Sequence, residues 1–122
     1  MRRPVFIFLL FCLCGITSLK ARDIVPFNDK WFFKKDSLST EVTIPHTWNA
    51  TDMQIKAKAF YEGSASYRKS CLFPESWKGK RLFLRFEGVG SCAEVYVNGK
   101  LTGSHKGGYS AFTCEIQNEI KF

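Results

Sequence analysis

Six acidic side chains, Asp52, Glu62, Glu75, Glu87, Glu94 and Glu115, are the groups in this chain best suited to proton transfer. Acid–base catalysis by carboxylates needs two of them facing one cleft, one as acid and one as base. Nothing in their spacing sets any two together, so they are expected to be surface and turn carboxylates. His46 follows Pro45 in a loop-like stretch, and His105 ends a strand-like one. No Ser or Cys nucleophile motif accompanies either imidazole, and both are expected to be hydrogen-bonded structural residues. Five cysteines are present, Cys12, Cys14, Cys71, Cys92 and Cys114, without CxxC or Cys/His spacing. A zinc site is therefore not expected, nor is any other metal or cofactor.

The elements that would position these groups are strands. Asn98-Gly99 lies between two strand-like runs, and Asn-Gly supplies the two positive φ angles of a tight hairpin. Both residues are expected to be structural, and Gly99→Val to disrupt the turn. Before it, Val95 and Val97 alternate with Tyr96, and Leu101 is expected on the valine face. Residues 24–33 give a first strand-like piece with Trp31 and Phe33 on one face. Residues 36–40 read as a polar turn, and residues 41–44 as a short strand stopped by Pro45. Residues 66–73 and 81–86 alternate cleanly. Residues 109–116 read as a further strand, and Gly88, Gly90, Gly107 and Gly108 mark corners. Between 46 and 63 lies a long irregular stretch holding Trp48, Phe60 and Tyr61, with a weak helical turn expected near 53–59. Such spacing of strands and turns predicts an all-β, antiparallel sandwich.

The chain has 122 residues, 45% of them hydrophobic and 24% charged, which fits one globular domain rather than a disordered chain. Residues 1–21 are set apart from it. Arg2 and Arg3 precede an apolar run over 5–13, which is too short to span a bilayer, and Leu19-Lys20-Ala21 ends on a small residue. This is the anatomy of a signal peptide, with cleavage before Arg22 and a periplasmic or extracellular destination. Its removal takes Arg2, Arg3 and Lys20 and leaves 15 basic against 11 acidic residues, a formal charge of +4. Those positives, Lys34 and Lys35 among them, are scattered and read as solubility and edge-protecting groups. No motif for nucleic acid accompanies them, and no membrane contact is expected after cleavage. Three cysteines would remain, Cys71, Cys92 and Cys114. One disulfide with a thiol left over stays open beside the default, in which they are small buried hydrophobes.

Three segments carry a resemblance. IPHTWN (44–49), GSASYRK (63–69) and WKGKRLFLRFEGVGSCAEVYVNGKLTGSHKGGYSAF (77–112) resemble the N-terminal sugar-binding domain of glycoside hydrolase family 2. The family includes β-galactosidases, β-glucuronidases and β-mannosidases, and the motifs sit nearest the first two. The likeness runs over about residues 27–122. It implies a jelly-roll, galactose-binding-like β-sandwich. In the family that sandwich packs beside an immunoglobulin-like domain and a TIM barrel holding two catalytic glutamates. A barrel takes about 250 residues, so neither glutamate is carried over to this chain and no catalytic residue is expected in it. Two features depart from the pattern. Ser66 stands where an aromatic is frequent, and the sequence stops at Phe122 before a further turn and strand.

The resemblance makes residues 22–122 a partial sugar-binding domain without its closing strand or strands, and such a piece alone is expected to be poorly soluble. It implies a non-catalytic carbohydrate-binding and scaffolding module of an exported β-galactosidase-like enzyme. The carbohydrate partner would be of the β-galactoside or β-glucuronide class, bound through the absent barrel. A free-standing carbohydrate-binding module is the alternative, and a structural β-domain with no sugar role comes last. In several relatives the long loop reaches the sugar pocket, so Asn49, Asp52, Tyr61 and Glu62 are the candidate sugar contacts. The bland reading of the same residues is that Trp48 and Tyr61 pack the loop down while the polar groups cap turns. Asn49-Ala50-Thr51 is also formally a glycosylation sequon.

Overall fold

A computed structural model describes residues 22–50 and 61–122. The expected signal peptide over 1–21 and the helical turn near 53–59 lie outside those residues. The chain divides into two compact units, Met1–Tyr67 and Arg68–Phe122.

In the first unit, β1 (Trp31–Lys35) pairs antiparallel with β2 (Leu38–Val42), from Trp31↔Val42 to Lys35↔Leu38. β3 (Ser66–Arg68) lies on the other side of β1, giving the order β2-β1-β3. The turn is tighter than expected. Two residues, Asp36 and Ser37, close it, and Asp36 adopts φ 50°, a conformation Asp tolerates because its short side chain bonds locally. The strand expected over 41–44 begins earlier, at Leu38, and ends at Val42; Ser39 and Thr40, polar and facing solvent beside exposed Leu38, hide its first half. β1 begins at Trp31, so residues 24–30 are not strand. Its alternation is strict: Phe33 is 1% exposed and Lys35 8%, while Phe32 and Lys34 face out. A cis Ile44–Pro45 peptide follows β2.

The strand expected over 66–73 is only three residues long. Residues 69–73 alternate in type, but a strand forms only where a ladder partner exists, and Leu72 stands 98% exposed. Phe73 instead packs 5.7 Å from Trp77, in the 3-10 turn Glu75–Trp77.

In the second unit, β4 (Phe83–Phe86) pairs with β7 (Phe112–Glu115), and β5 (Cys92–Val97) pairs with β6 (Lys100–Lys106), all antiparallel. Asn98 at φ 50° and Gly99 at φ 83° close the β5–β6 hairpin, as the dipeptide predicts. Gly107 at φ 116° turns the chain after β6 and donates its N–H to Ser91 O at 2.7 Å. Phe86 and Phe112 face each other across the β4–β7 ladder with centroids 4.8 Å apart. His105 stacks on the Phe112 ring at 4.4 Å and bonds Ser110 Oγ at 3.0 Å, the structural role expected of it.

Leu101 departs from expectation. The β5–β6 register shifts between Val95 and Tyr96, so Thr102 is an extra residue in β6. Leu101 therefore opposes Tyr96 on the outer face, and Gly103 takes the place opposite Val95. Leu101 is 52% exposed and Tyr96 57%. The cysteines also divide. Cys114 is buried, but Cys71 and Cys92 are exposed free thiols, so the buried default holds for one of the three.

Candidate functional site

Among the described residues, the irregular stretch after β2 meets the end of β1 at Lys35. Lys35 is the buried charged residue among those described, at 8% exposure. Alternation along β1 dictates this, because Trp31, Phe33 and Lys35 share the inward face. An ammonium removed from water must be hydrogen-bonded in return. Lys35 Nζ donates to Trp48 O at 2.9 Å and to Asn49 Oδ1 at 3.2 Å, and it lies 4.8 Å from the centre of the Tyr61 ring. That ring offers its negative face to the charge. Asn49 Nδ2 donates to Tyr61 O at 3.3 Å, and Trp48 meets Tyr61 edge-on at 5.9 Å. One lysine thus ties residues on both sides of positions 51–60.

Tyr61 is bound at its other end as well. Its hydroxyl donates to Ser64 O at 2.8 Å. Burial, then the Asp36 carboxylate and a hydrogen bond with it, push the phenol above its ordinary range and keep it protonated. Gly63 permits this fold-back: a Cβ there would stand 2.7 Å from the Tyr61 hydroxyl oxygen. Beside it an open depression of about 300 Å³ is lined by Lys34, Asp36, Ser64, Ala65 and Ser66. Its walls offer an ammonium, a carboxylate and two hydroxyls, groups that pair with a polyol.

Of the expected sugar contacts, Asn49 and Tyr61 are therefore brought together, with their polar atoms engaged inside the chain. Glu62 follows Tyr61 and is exposed, and Asp52 lies outside the described residues. Lys35, read from sequence as an exposed edge charge, is the residue that reading missed. The signal was present, since it shares the parity of Trp31 and Phe33. Its charge argued the wrong way. A second cluster joins two of the motif segments: His46 Nδ1 lies 2.8 Å from the Tyr67 hydroxyl, and both rings pack on Phe33, at 4.7 and 5.0 Å. Burial raises the Tyr67 phenol too.

Three of the carboxylates, Glu115, Glu87 and Glu94, are occupied locally. Arg81 Nε and Nη2 donate to Glu115 at 2.8 and 3.2 Å, Arg85 clasps Glu87 from 2.7 Å, and the Tyr96 hydroxyl donates to Glu94 at 2.7 Å. Among the described residues, no group of three His, Cys, Asp or Glu side chains could hold a metal ion.

The model of the sugar-binding domain of glycosyl hydrolases family 2 matches residues 17–121. A β-glucuronidase of Bacteroides fragilis is 40% identical over 119 residues, covering 94% of this chain and 17% of that protein. A β-galactosidase of Thermoanaerobacter pseudethanolicus is 33% identical over 113 residues, covering 83% of this chain and 15% of that protein. Among solved structures, a provisionally assigned β-galactosidase from Bacteroides fragilis is 55% identical, with a TM-score of 0.72 over 80% of this chain and 16% of that one. The expected fold class, an antiparallel β-sandwich, is borne out by this likeness. The chain spans about a sixth of the length of the curated relatives it matches.

Proposed function

The chain belongs to the sugar-binding domain family of the family 2 glycosyl hydrolases, and from that premise we propose that it is a non-catalytic carbohydrate-binding and scaffolding module of an exported β-glycosidase. The observation that carries this reading is the family match over residues 17–121, shared with β-glucuronidases and β-galactosidases. The substrate class is accordingly a β-galactoside or β-glucuronide. The sugar-facing edge is the one built by Asn49, Tyr61 and Glu62 beside the hydroxyl-lined depression. Hydrolysis with retention needs two carboxyl groups about 5–5.5 Å apart across the scissile bond. The pairing of Glu87, Glu94 and Glu115 with their own neighbours supports a binding role over a catalytic one.

The test is calorimetric titration of the full chain with methyl β-galactoside and methyl β-glucuronide, run beside an assay with the matching nitrophenyl glycosides. Absence of turnover is the expected result, and saturable binding of one sugar by the chain alone would favour the alternative, a free-standing carbohydrate-binding module. Turnover by the chain itself would overturn the non-catalytic role, and no binding of either sugar would overturn the contact edge. Export is tested separately by sequencing the N-terminus of protein recovered outside the cytoplasm, which should begin at Arg22.

A further inference from the structure

We infer that Lys35 is a positioning residue for the sugar-facing edge, acting through Tyr61 on the hydroxyl-lined depression. This rests on the reading of that edge as a sugar contact.

Burying an ammonium is costly. A lysine on a β-strand has an easy course, which is to leave its ammonium in water. Lys35 does the opposite: its ammonium donates to a carbonyl and a side-chain amide oxygen and lies over an aromatic face. A buried ion is weak evidence of stabilisation, because desolvation offsets the gain. What this one supplies is geometry. The ammonium has three donors and sits where three chain segments meet, namely the end of β1, residues 48–49 and Tyr61.

From Tyr61 the constraint passes to the depression. The phenol bonds the Ser64 carbonyl, and both Ser64 and Asp36, the other group that acts on that phenol, line the cavity. The chain of contacts is therefore Lys35 to the Tyr61 ring, the Tyr61 hydroxyl to Ser64, and Ser64 to the wall. No part of Lys35 needs to touch a ligand. Removing its ammonium would leave the strands intact, release Asn49 Oδ1 and the Tyr61 ring, and let the wall relax. Moving the ring from the other side, with a Cβ at Gly63, should do the same without altering any charge.

The experiment uses the full chain and the variants Lys35→Met and Gly63→Ala, with two readouts. The first is the nuclear magnetic resonance spectrum: signals of the Asn49 side-chain amide, the Tyr61 ring and the Ser64 amide should move in both variants, while those of Phe33 and Thr40 in the β1–β2 ladder stay in place. The second is affinity for the methyl glycoside that the parent binds, which should fall about tenfold in each variant at unchanged melting cooperativity. Parent-like Asn49 and Tyr61 signals in both variants, or parent-like affinity despite shifted signals, would overturn the inference. If Lys35→Met fails to fold, Gly63→Ala decides alone. If the parent binds neither glycoside, the sugar reading falls, and unshifted spectra would still overturn the clamp on their own.

Discussion

The side-chain amide of Asn98 donates to the backbone carbonyl of Glu119 at 2.6 Å. The same residue holds φ 50° in the β5–β6 turn, and its neighbour Lys100 pairs with the Glu119 carboxylate at 2.6 Å. Asn98 thus both shapes the hairpin tip and fastens it to the segment after β7. The two roles separate by substitution. Asn98→Gly keeps the left-handed conformation and loses the hydrogen bond, for about 1 kcal/mol. Asn98→Ala loses both, for about 2–3 kcal/mol, since the left-handed region adds about 1–2 for a residue with a Cβ. Urea melts of the two variants should rank in that order; equal losses would assign the whole effect to the bond, and a parent-like Asn98→Gly would assign it to the turn.

Gly103 should tolerate no side chain while Cys114 is present. A Cβ at Gly103 would run into Cys114 Sγ, in a part of the second unit where Cys114 is 5% exposed. Overpacking of this kind costs about 1–3 kcal/mol. Removing the sulfur should relieve it, so Gly103→Ala with Cys114→Ala should be less destabilised than the two single losses together. Strict additivity in denaturant melts would show that the contact is not the cause.

The thiols should differ in reactivity. Burial raises the Cys114 thiol above its ordinary range and lowers its thiolate fraction near neutral pH, while Cys71 and Cys92 are exposed. Alkylation of the native protein, mapped by mass spectrometry, should modify Cys71 and Cys92 well before Cys114. Equal rates would mean that the segment around β7 opens easily.

Stability should fall in acid, and part of the fall should trace to two carboxylates. Hydrogen bonds from Arg81 and then Gln117 hold Glu115 below its usual range, and Arg85 does the same for Glu87. A carboxyl group with a lowered folded-state pKa contributes fully above its unfolded value, and that contribution is lost as pH falls through the folded one. The loss therefore belongs to the region below about pH 4.5. Both pairs are solvent-exposed, so the contribution should be small and weaker in high salt. Glu115→Gln should flatten the acid limb of a plot of melting temperature against pH, and an unchanged limb would remove the pair from the account.

Local requirements were legible in the sequence, and long-range ones were not. The Asn98-Gly99 turn could be read because two adjacent residues carry the whole conformational demand. Leu101 was set on the wrong face because the register shift at Thr102 is a relation between two strands, invisible in either alone. Residues 38–40 of β2 read as a turn, apart from the strand at 41–44, because outward polar residues resemble a loop until β1 is laid beside them. At the candidate site Asn49 and Tyr61 stood out as polar and aromatic groups in a long loop. Lys35 did not, because side-chain type says that lysine is outside, and only the parity of β1 says that this one is inside.

The register shift also decides where this chain can change length. Thr102 is the residue of β6 that has no counterpart in β5, with Leu101 opposite Tyr96 and Gly103 opposite Val95. Deleting Thr102 joins those two rungs into a regular ladder and leaves every later residue on the face it already occupies. Deleting Ser104 one rung later would instead move His105 and Lys106 to opposite faces and take His105 off the Phe112 ring. Position 102 is thus a place where a residue can be gained or lost between relatives without changing which side of the sheet its neighbours face, a freedom of length where the adjoining positions have only freedom of type.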